Sequence, residues 1–262
     1  MHEIADIACN FTSERFDKDL DMVIDRAITN KITKFGLICS RLSDIDKLLK
    51  IYEKYSKHMF FTIGVHPHHA NEINDQYLKK LKEAVNLNDP DAIGETGLDF
   101  FRNLSTYEEQ INAFEEQIKI AIDTNKPLFL HQRDSHDDFI KILRKYSSDF
   151  NKAVVHCFTG TQKQLDDYLE LDCYIGVTGW ICDEKRNVEL RKTIKNIPLS
   201  KLMIETDCPY LIPKNLQEKP KNNRNEPCNL NHIVAEISAL MDIDEDILRK
   251  ETFENTKSIF GN

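Results

Sequence analysis

Short apolar runs of strand length alternate along the chain with longer stretches in which apolar residues recur every three or four positions. The runs are Ile4–Ala8, Phe35–Cys39, Phe60–Val65, Ala92–Glu95, Leu128–Leu130, Ala153–Val155, Tyr174–Val177 and Leu202–Glu205. Helices are expected between them over Leu20–Thr29, Asp44–Tyr55, Asp75–Val85, Thr106–Thr124, Asp137–Tyr146, Gln162–Leu169 and Val188–Ile197, with a final helix over Leu230–Met241. The longest of these shows the pattern best: Ile111, Phe114, Ile118 and Ile122 fall on one buried stripe. Strand and helix in alternation imply a parallel sheet, because parallel neighbours need a crossover. Eight such units favour closure into a (β/α)8 TIM barrel. An open doubly wound sheet would want a glycine-rich phosphate loop after its first strand, and Ala8-Cys9-Asn10-Phe11 offers none.

At 262 residues the chain is near the roughly 250 typical of such a barrel, which points to a single domain over residues 1–262. The Pro213–Pro227 stretch is too short to separate domains and reads as a loop. Met1 to Asp6 lacks the basic and apolar regions of a secretory signal, and no apolar run approaches the roughly 20 residues that cross a bilayer. Seven cysteines, an odd number without a CxxC pair, suit reduced thiols in a cytoplasmic protein. A net charge of −9 argues against a protein that coats nucleic acid, though not against a nuclease whose local positive charge comes from metal ions.

Candidate chemistry collects where the strands end, the rim that forms the active site of a TIM barrel. Asp6 and Asn10 come from the first strand, His66 from the third, Glu95 from the fourth, His131 from the fifth, His156 from the sixth and Asp207 from the eighth. Each alone has a plainer explanation: a lone His is more often a satisfied core or surface residue, and Asp207 before Cys208-Pro209 would suit a turn. Together, Glu95, His131, His156 and Asp207 make a mixed oxygen and nitrogen set that suits Mg²⁺, Mn²⁺ or Zn²⁺. Asp6 and Asn10 are secondary ligand candidates.

Gly64-Val65-His66-Pro67-His68, Gly94-Glu95 with Gly97-Leu98-Asp99, His131 with Arg133-Asp134, His156-Cys157-Phe158-Thr159-Gly160, Glu205-Thr206-Asp207 and Arg224-Asn225-Glu226-Pro227 resemble, in order, the motifs of the TatD deoxyribonuclease family. Tyr174-Ile175-Gly176-Val177-Thr178-Gly179-Trp180 is similar to its bacterial-type branch. The resemblance covers essentially the whole chain. It implies a metal-dependent hydrolase on a TIM barrel, a 3′-to-5′ exonuclease on single-stranded DNA and RNA with a place in DNA repair. It also implies that Glu95, His131 and His156 are metal ligands and that Asp207 contacts metal and the attacking water. One departure stands out. Many members carry a His-x-His pair after the first strand's aspartate, where this chain has Ala8 and Asn10. One tight ion on Glu95, His131 and His156 is therefore expected, with a second held weakly and best served by Mg²⁺ or Mn²⁺.

The expected reaction is metal-assisted phosphodiester hydrolysis in which Asp207 orients or deprotonates water and Glu95 serves the ion. His66 and Arg133 are candidates to hold phosphate oxygens, although Arg133 could instead pair with Asp134 or Asp99. Trp180 either stacks on a base or packs the rim, and Phe101 and Tyr210 are weaker stacking candidates. Lys214, Lys219, Lys221 and Arg224 could form a basic rim beside Asp207 or only a solvated loop. The expected partner is a single-stranded nucleic acid substrate and not a membrane, and the protein is expected to be a monomer. Two rivals are a hydrolase of an amide or ester, such as an aminoacyl-tRNA ester, and a metal-binding scaffold without activity. Glu95 in place of a bridging lysine weighs against the first, and Asp207 against the second.

Overall fold

The computed structural model describes residues 2–220 and 222–261. Eight strands, β1 (Ile4–Cys9), β2 (Ile32–Leu37), β3 (Met59–Ile63), β4 (Ala92–Asp99), β5 (Leu128–Arg133), β6 (Ala153–Val155), β7 (Tyr174–Val177) and β8 (Leu202–Ile204), form one parallel sheet in chain order. A parallel bridge between Cys9 and Cys208, with Asn10 N–H donating to the Cys208 carbonyl at 2.8 Å, joins the first strand to the segment after the last. The sheet is thus the expected barrel. Helices α1 (Leu20–Thr29), α2 (Ile45–Tyr55), α3 (Asp75–Asn88), α4 (Tyr107–Thr124), α5 (His136–Lys145), α6 (Gln162–Glu170) and α7 (Val188–Thr193) each follow a strand, and α8 (Leu230–Met241) follows β8.

Strand alternation sorts the core into two layers. Phe61, Leu128, Val155 and Leu202 face the helices, whereas Ile7, Phe60, Phe129, Val154 and Met203 fill the barrel interior. The helices are placed by the same logic. In α4, Thr106 accepts from Glu109 N–H while the Glu109 carboxylate takes Thr106 N–H, a reciprocal cap that fixes where the helix starts. Phe114 and Ile118 then lie fully buried on its inner face.

Three expectations need correction. β2 begins at Ile32, because Thr33 and Lys34 sit in the ladder despite their polarity. β4 does not end at Glu95, nor β5 at Leu130: the pair continues to Asp99 and Arg133. Gly94 and Gly97 permit this, since a methyl on either would run into the carbonyl of Phe129 or His131. Finally, α8 is not the last helix. A ninth, α9 (Glu245–Phe260), follows, and its Phe260 ring stacks on Phe60 at 4.2 Å, closing the barrel interior at the end where the strands begin.

Candidate metal centre

The opposite end of the barrel carries the polar residues. Backbone ladders run on past several strand ends: His66 N–H donates to Ser40, Glu95 to Cys39, His156 to Leu130 and Glu205 to Val177, at 2.9–3.1 Å. These bonds fix the rim residues as firmly as the strands themselves. Two buried glutamines on α4 add to this. Gln117 bonds both the N–H and the carbonyl of Val65, just before His66, and Gln110 does the same for Asp99.

Glu95 Oε1 is the hub. His156 Nε2 lies 2.8 Å away, His131 Nδ1 2.9 Å and His66 Nε2 3.3 Å. The two ring nitrogens of His131 and His156 face each other at 3.4 Å. Burial alone would raise the Glu95 pKa, but the imidazoles hold it well below the usual carboxylate value. Burial pushes His66 down to about 4, so His66 is neutral at physiological pH. His131 and His156 shift the other way. Burial opposes their protonation too, yet Asp99 and Glu95 raise His131, and Glu95 and Glu205 raise His156 well above the ordinary histidine value.

A second row of carboxylates backs the hub. Asp99 Oδ2 lies 2.8 Å from His68 Nε2 and 3.3 Å from His131 Nε2. Those imidazoles keep Asp99 charged against its burial. Glu205 accepts from Cys157 N–H, and its other oxygen sits 3.4 Å from His156 Nδ1, out of line for a hydrogen bond. An ion on Nε2 of His156 would leave the proton on Nδ1, facing that orphaned Glu205 oxygen, which is how metal-bound histidines are usually oriented. The donor set fits a divalent cation: ligand atoms of His66, Glu95 and His131 also lie within 4.8 Å of one another.

Asp207 stands beside the hub with its backbone in the left-handed region, φ 54°. Its Oδ1 accepts from Asn10 Nδ2 at 2.9 Å. Burial raises its pKa to about 7, with Glu95 and Glu205 adding to the rise and His156 opposing it. Asn10 is thus a partner of Asp207, its amide nitrogen turned to that carboxylate. Asp6 is not brought into the group: Thr206 N–H and hydroxyl occupy its two oxygens at 2.8 and 2.5 Å across the β1–β8 seam.

Glu95, His131, His156 and Asp207 all border an open cavity of about 1210 Å³. His66 and Arg133 border it too. His66 sits within the histidine–glutamate cluster. Arg133 lays its guanidinium over the Phe101 ring, 3.9 Å from the centroid, and among the described residues it pairs with neither Asp134 nor Asp99. Arg224 leaves the expected basic rim, because it is buried in ion pairs with Asp19 and Glu226 at 2.7 Å. Lys221 lies outside the described residues. His68 and Glu205 were given no role on sequence grounds, and Asp99 only that of a possible partner for Arg133. Alternation alone would have placed Glu205 on the same side as Asp207, two residues on.

The sequence profile of the family described as TatD related DNase matches residues 5–261. The 3′-5′ ssDNA/RNA exonuclease TatD of Pectobacterium atrosepticum is 41% identical over 97% of this chain and 98% of its own length. Among solved structures, a hydrolase TatD family protein from Entamoeba histolytica superposes with a TM-score of 0.89 at 28% identity, covering 100% of this chain and 99% of the other. YJJV, a TatD homolog from Escherichia coli K12, gives 0.90 at 26% identity, covering 99% and 98%.

Proposed function

Because this chain belongs to the TatD related DNase family, we propose that it is a divalent-metal-dependent phosphodiesterase removing nucleotides from the 3′ end of single-stranded DNA and RNA. The observation that carries the reading is the convergence of His66, His131 and His156 on one oxygen of Glu95, beside a carboxylate whose pKa lies near 7. Glu95, His131 and His156 would hold the principal ion, Mg²⁺ or Mn²⁺, and His66 is a further donor in the same cluster. When bound, the ion supplies a Lewis acid and makes a coordinated water more acidic.

The protein's own groups do the rest. Asp207, held at Oδ1 by Asn10, takes the proton of the attacking water at Oδ2; a pKa near the working pH is what a general base needs. Arg133, flattened on Phe101, presents its fork to a phosphoryl oxygen. Water adds to phosphorus, the bond from phosphorus to the O3′ of the 5′ neighbour breaks, and the terminal nucleotide leaves with its phosphate. The barrel acts as one catalytic domain. Seven free thiols suit a reducing compartment such as the cytoplasm, and among the described residues no helix is long and apolar enough to cross a membrane. Purified protein should degrade a 5′-labelled single-stranded oligonucleotide stepwise with added Mg²⁺ or Mn²⁺ and stop with chelator. A 3′-terminal phosphorothioate should protect the strand. Cleavage of a covalently closed circle at an equal rate would refute the exonuclease reading.

A further inference from the structure

Beside the main cavity lies a second hollow of about 320 Å³, walled by the loops that follow β7 and β8. The two spaces share Trp180, Arg186, Tyr210 and Leu211, so whatever occupies one continues into the other. The second hollow has an unusual lining for a protein of net charge −9. Arg15, Arg186 and Lys214 face it, against the single carboxylate of Asp183. Arg15 is spent on shape: its guanidinium donates to the carbonyls of Pro209 and Asn223 and ties the loop after β8 in place. Asp183 is largely buried, accepts from Arg186 N–H at 3.2 Å and pairs loosely with its guanidinium across 4.0 Å. Lys214 has no ion-pair partner among the described residues and stands exposed. The aromatic component is Tyr210, 52% exposed, with Trp180 half-buried and anchored on the core.

An exposed aromatic beside an unpaired lysine and an exposed, loosely paired arginine is the chemistry that grips a single strand, bases stacking on rings and phosphates lying on the charges. A volume of 320 Å³ is at the small end of the roughly 300–1,000 Å³ range for small-ligand pockets, room for one nucleotide. We propose that this hollow binds the nucleotide on the 5′ side of the scissile phosphate, its base against Trp180 and Tyr210 and its phosphate near Arg186 and Lys214. This rests on the exonuclease reading, in which the retained strand extends 5′ from the catalytic cavity. It turns the site from one that cleaves any accessible phosphodiester into one that senses whether a strand continues. A lone terminal nucleotide reaches the histidines and Asp207 but leaves this grip empty.

Trp180 is the sole tryptophan of the chain, so its fluorescence reports the hollow directly. Protein in chelator, titrated with a mixed-sequence single strand of about ten nucleotides, should lose Trp180 emission as the base stacks. Tyr210→Ala should weaken the measured affinity about 5- to 150-fold, the range for one stacked base. Arg186→Ala with Lys214→Ala should flatten the dependence of log K on log salt by about 1.4, two single-strand phosphate contacts at about 0.7 each. With metal, the same variants should raise KM for the oligonucleotide. They should leave kcat/KM unchanged on p-nitrophenyl thymidine 5′-phosphate, in which nitrophenolate replaces the 5′ neighbour. Unchanged Trp180 emission, or equal losses on both substrates, would overturn the proposal. Normal quenching with no metal-dependent cleavage of either substrate would instead sink the catalytic reading and leave the binding subsite standing.

Discussion

Replacing Glu95 by glutamine keeps the shape of the hub and removes its charge, and the consequence can be worked out for the metal-free protein. Glu95 Oε1 is buried and takes close contacts from His131 at 2.9 Å and His156 at 2.8 Å. Hydrogen bonds to charged groups are worth roughly 1.5–3 kcal/mol each, and breaking a buried ion pair costs about 3–5 kcal/mol. The stranded imidazoles can shed their protons, which favours the lower end, about 3 kcal/mol. At about 2–4 °C per kcal/mol for a chain of this size, Tm should fall about 6–12 °C. The pH window follows from the shifts. Glu95 titrates below its ordinary 4.5 when folded, so its contribution is complete above 4.5 and is lost as pH falls through the depressed value. His131 and His156 titrate above their ordinary 6.5, so theirs is complete below 6.5 and is lost as pH rises through the raised values. The gap in Tm should therefore be widest between 4.5 and 6.5 and narrow on the alkaline side. Calorimetry of chelated wild type and Glu95→Gln across pH tests this, with metal content after dialysis as a second readout. A gap under about 1 kcal/mol, or one flat with pH, would refute the charge assignment at the hub.

Other predictions follow from the same geometry. Asp207→Asn should lower kcat about 10²-fold or more. Its apo Tm should be unchanged or raised above neutral pH, because ionising a carboxyl whose folded pKa is about 7 costs stability as pH rises; unchanged kcat at saturating metal would exclude it as the base. Because the pKa values of His131 and His156 are raised without metal, binding Mn²⁺ at or below those raised values should release protons, seen as a buffer-dependent calorimetric enthalpy. An enthalpy independent of buffer would contradict that. With Ala8 and Asn10 in place of two imidazoles, activity should need Mg²⁺ or Mn²⁺ well beyond the ion that co-purifies; two sites of equal high affinity would rule the asymmetry out. Phe260→Ala, at the far end of the barrel, should cost about 3–5 kcal/mol and leave kcat unaltered; a matching fall in kcat would show that floor and rim are coupled.

What could be read beforehand depended on whether polarity and position agreed. β6 and β7 match their expected ends, because each is a short apolar run stopped by a polar or turn residue. α9 escaped because its buried face carries Arg249, Thr252, Asn255 and Thr256, and Asn255 bonds the carbonyls of Leu199 and Leu202 instead of offering an apolar stripe. Gln110 and Gln117 were hidden for the same reason: a glutamine on a helix reads as solvent-facing until its backbone partners are known. The hub residues Glu95, His131 and His156 were legible because successive strands carry them towards one rim, although Glu95 lies inside β4 and not at its end. Arg224 misled, since a cation in a loop gives no sign of the carboxylates folded over it.

The seam between β1 and β8 also sets a clock for the making of this protein. Asp6 must meet Thr206, 200 positions later in the chain. At roughly 5–20 residues per second on the ribosome, about 10–40 s separate the appearance of the two sides. Throughout that interval β1, all six of its residues buried in the finished barrel, has only β2 to pair with. Its other edge is an open strand emerging ahead of its partner, the stretch of the nascent chain most in need of shelter until Thr206 arrives.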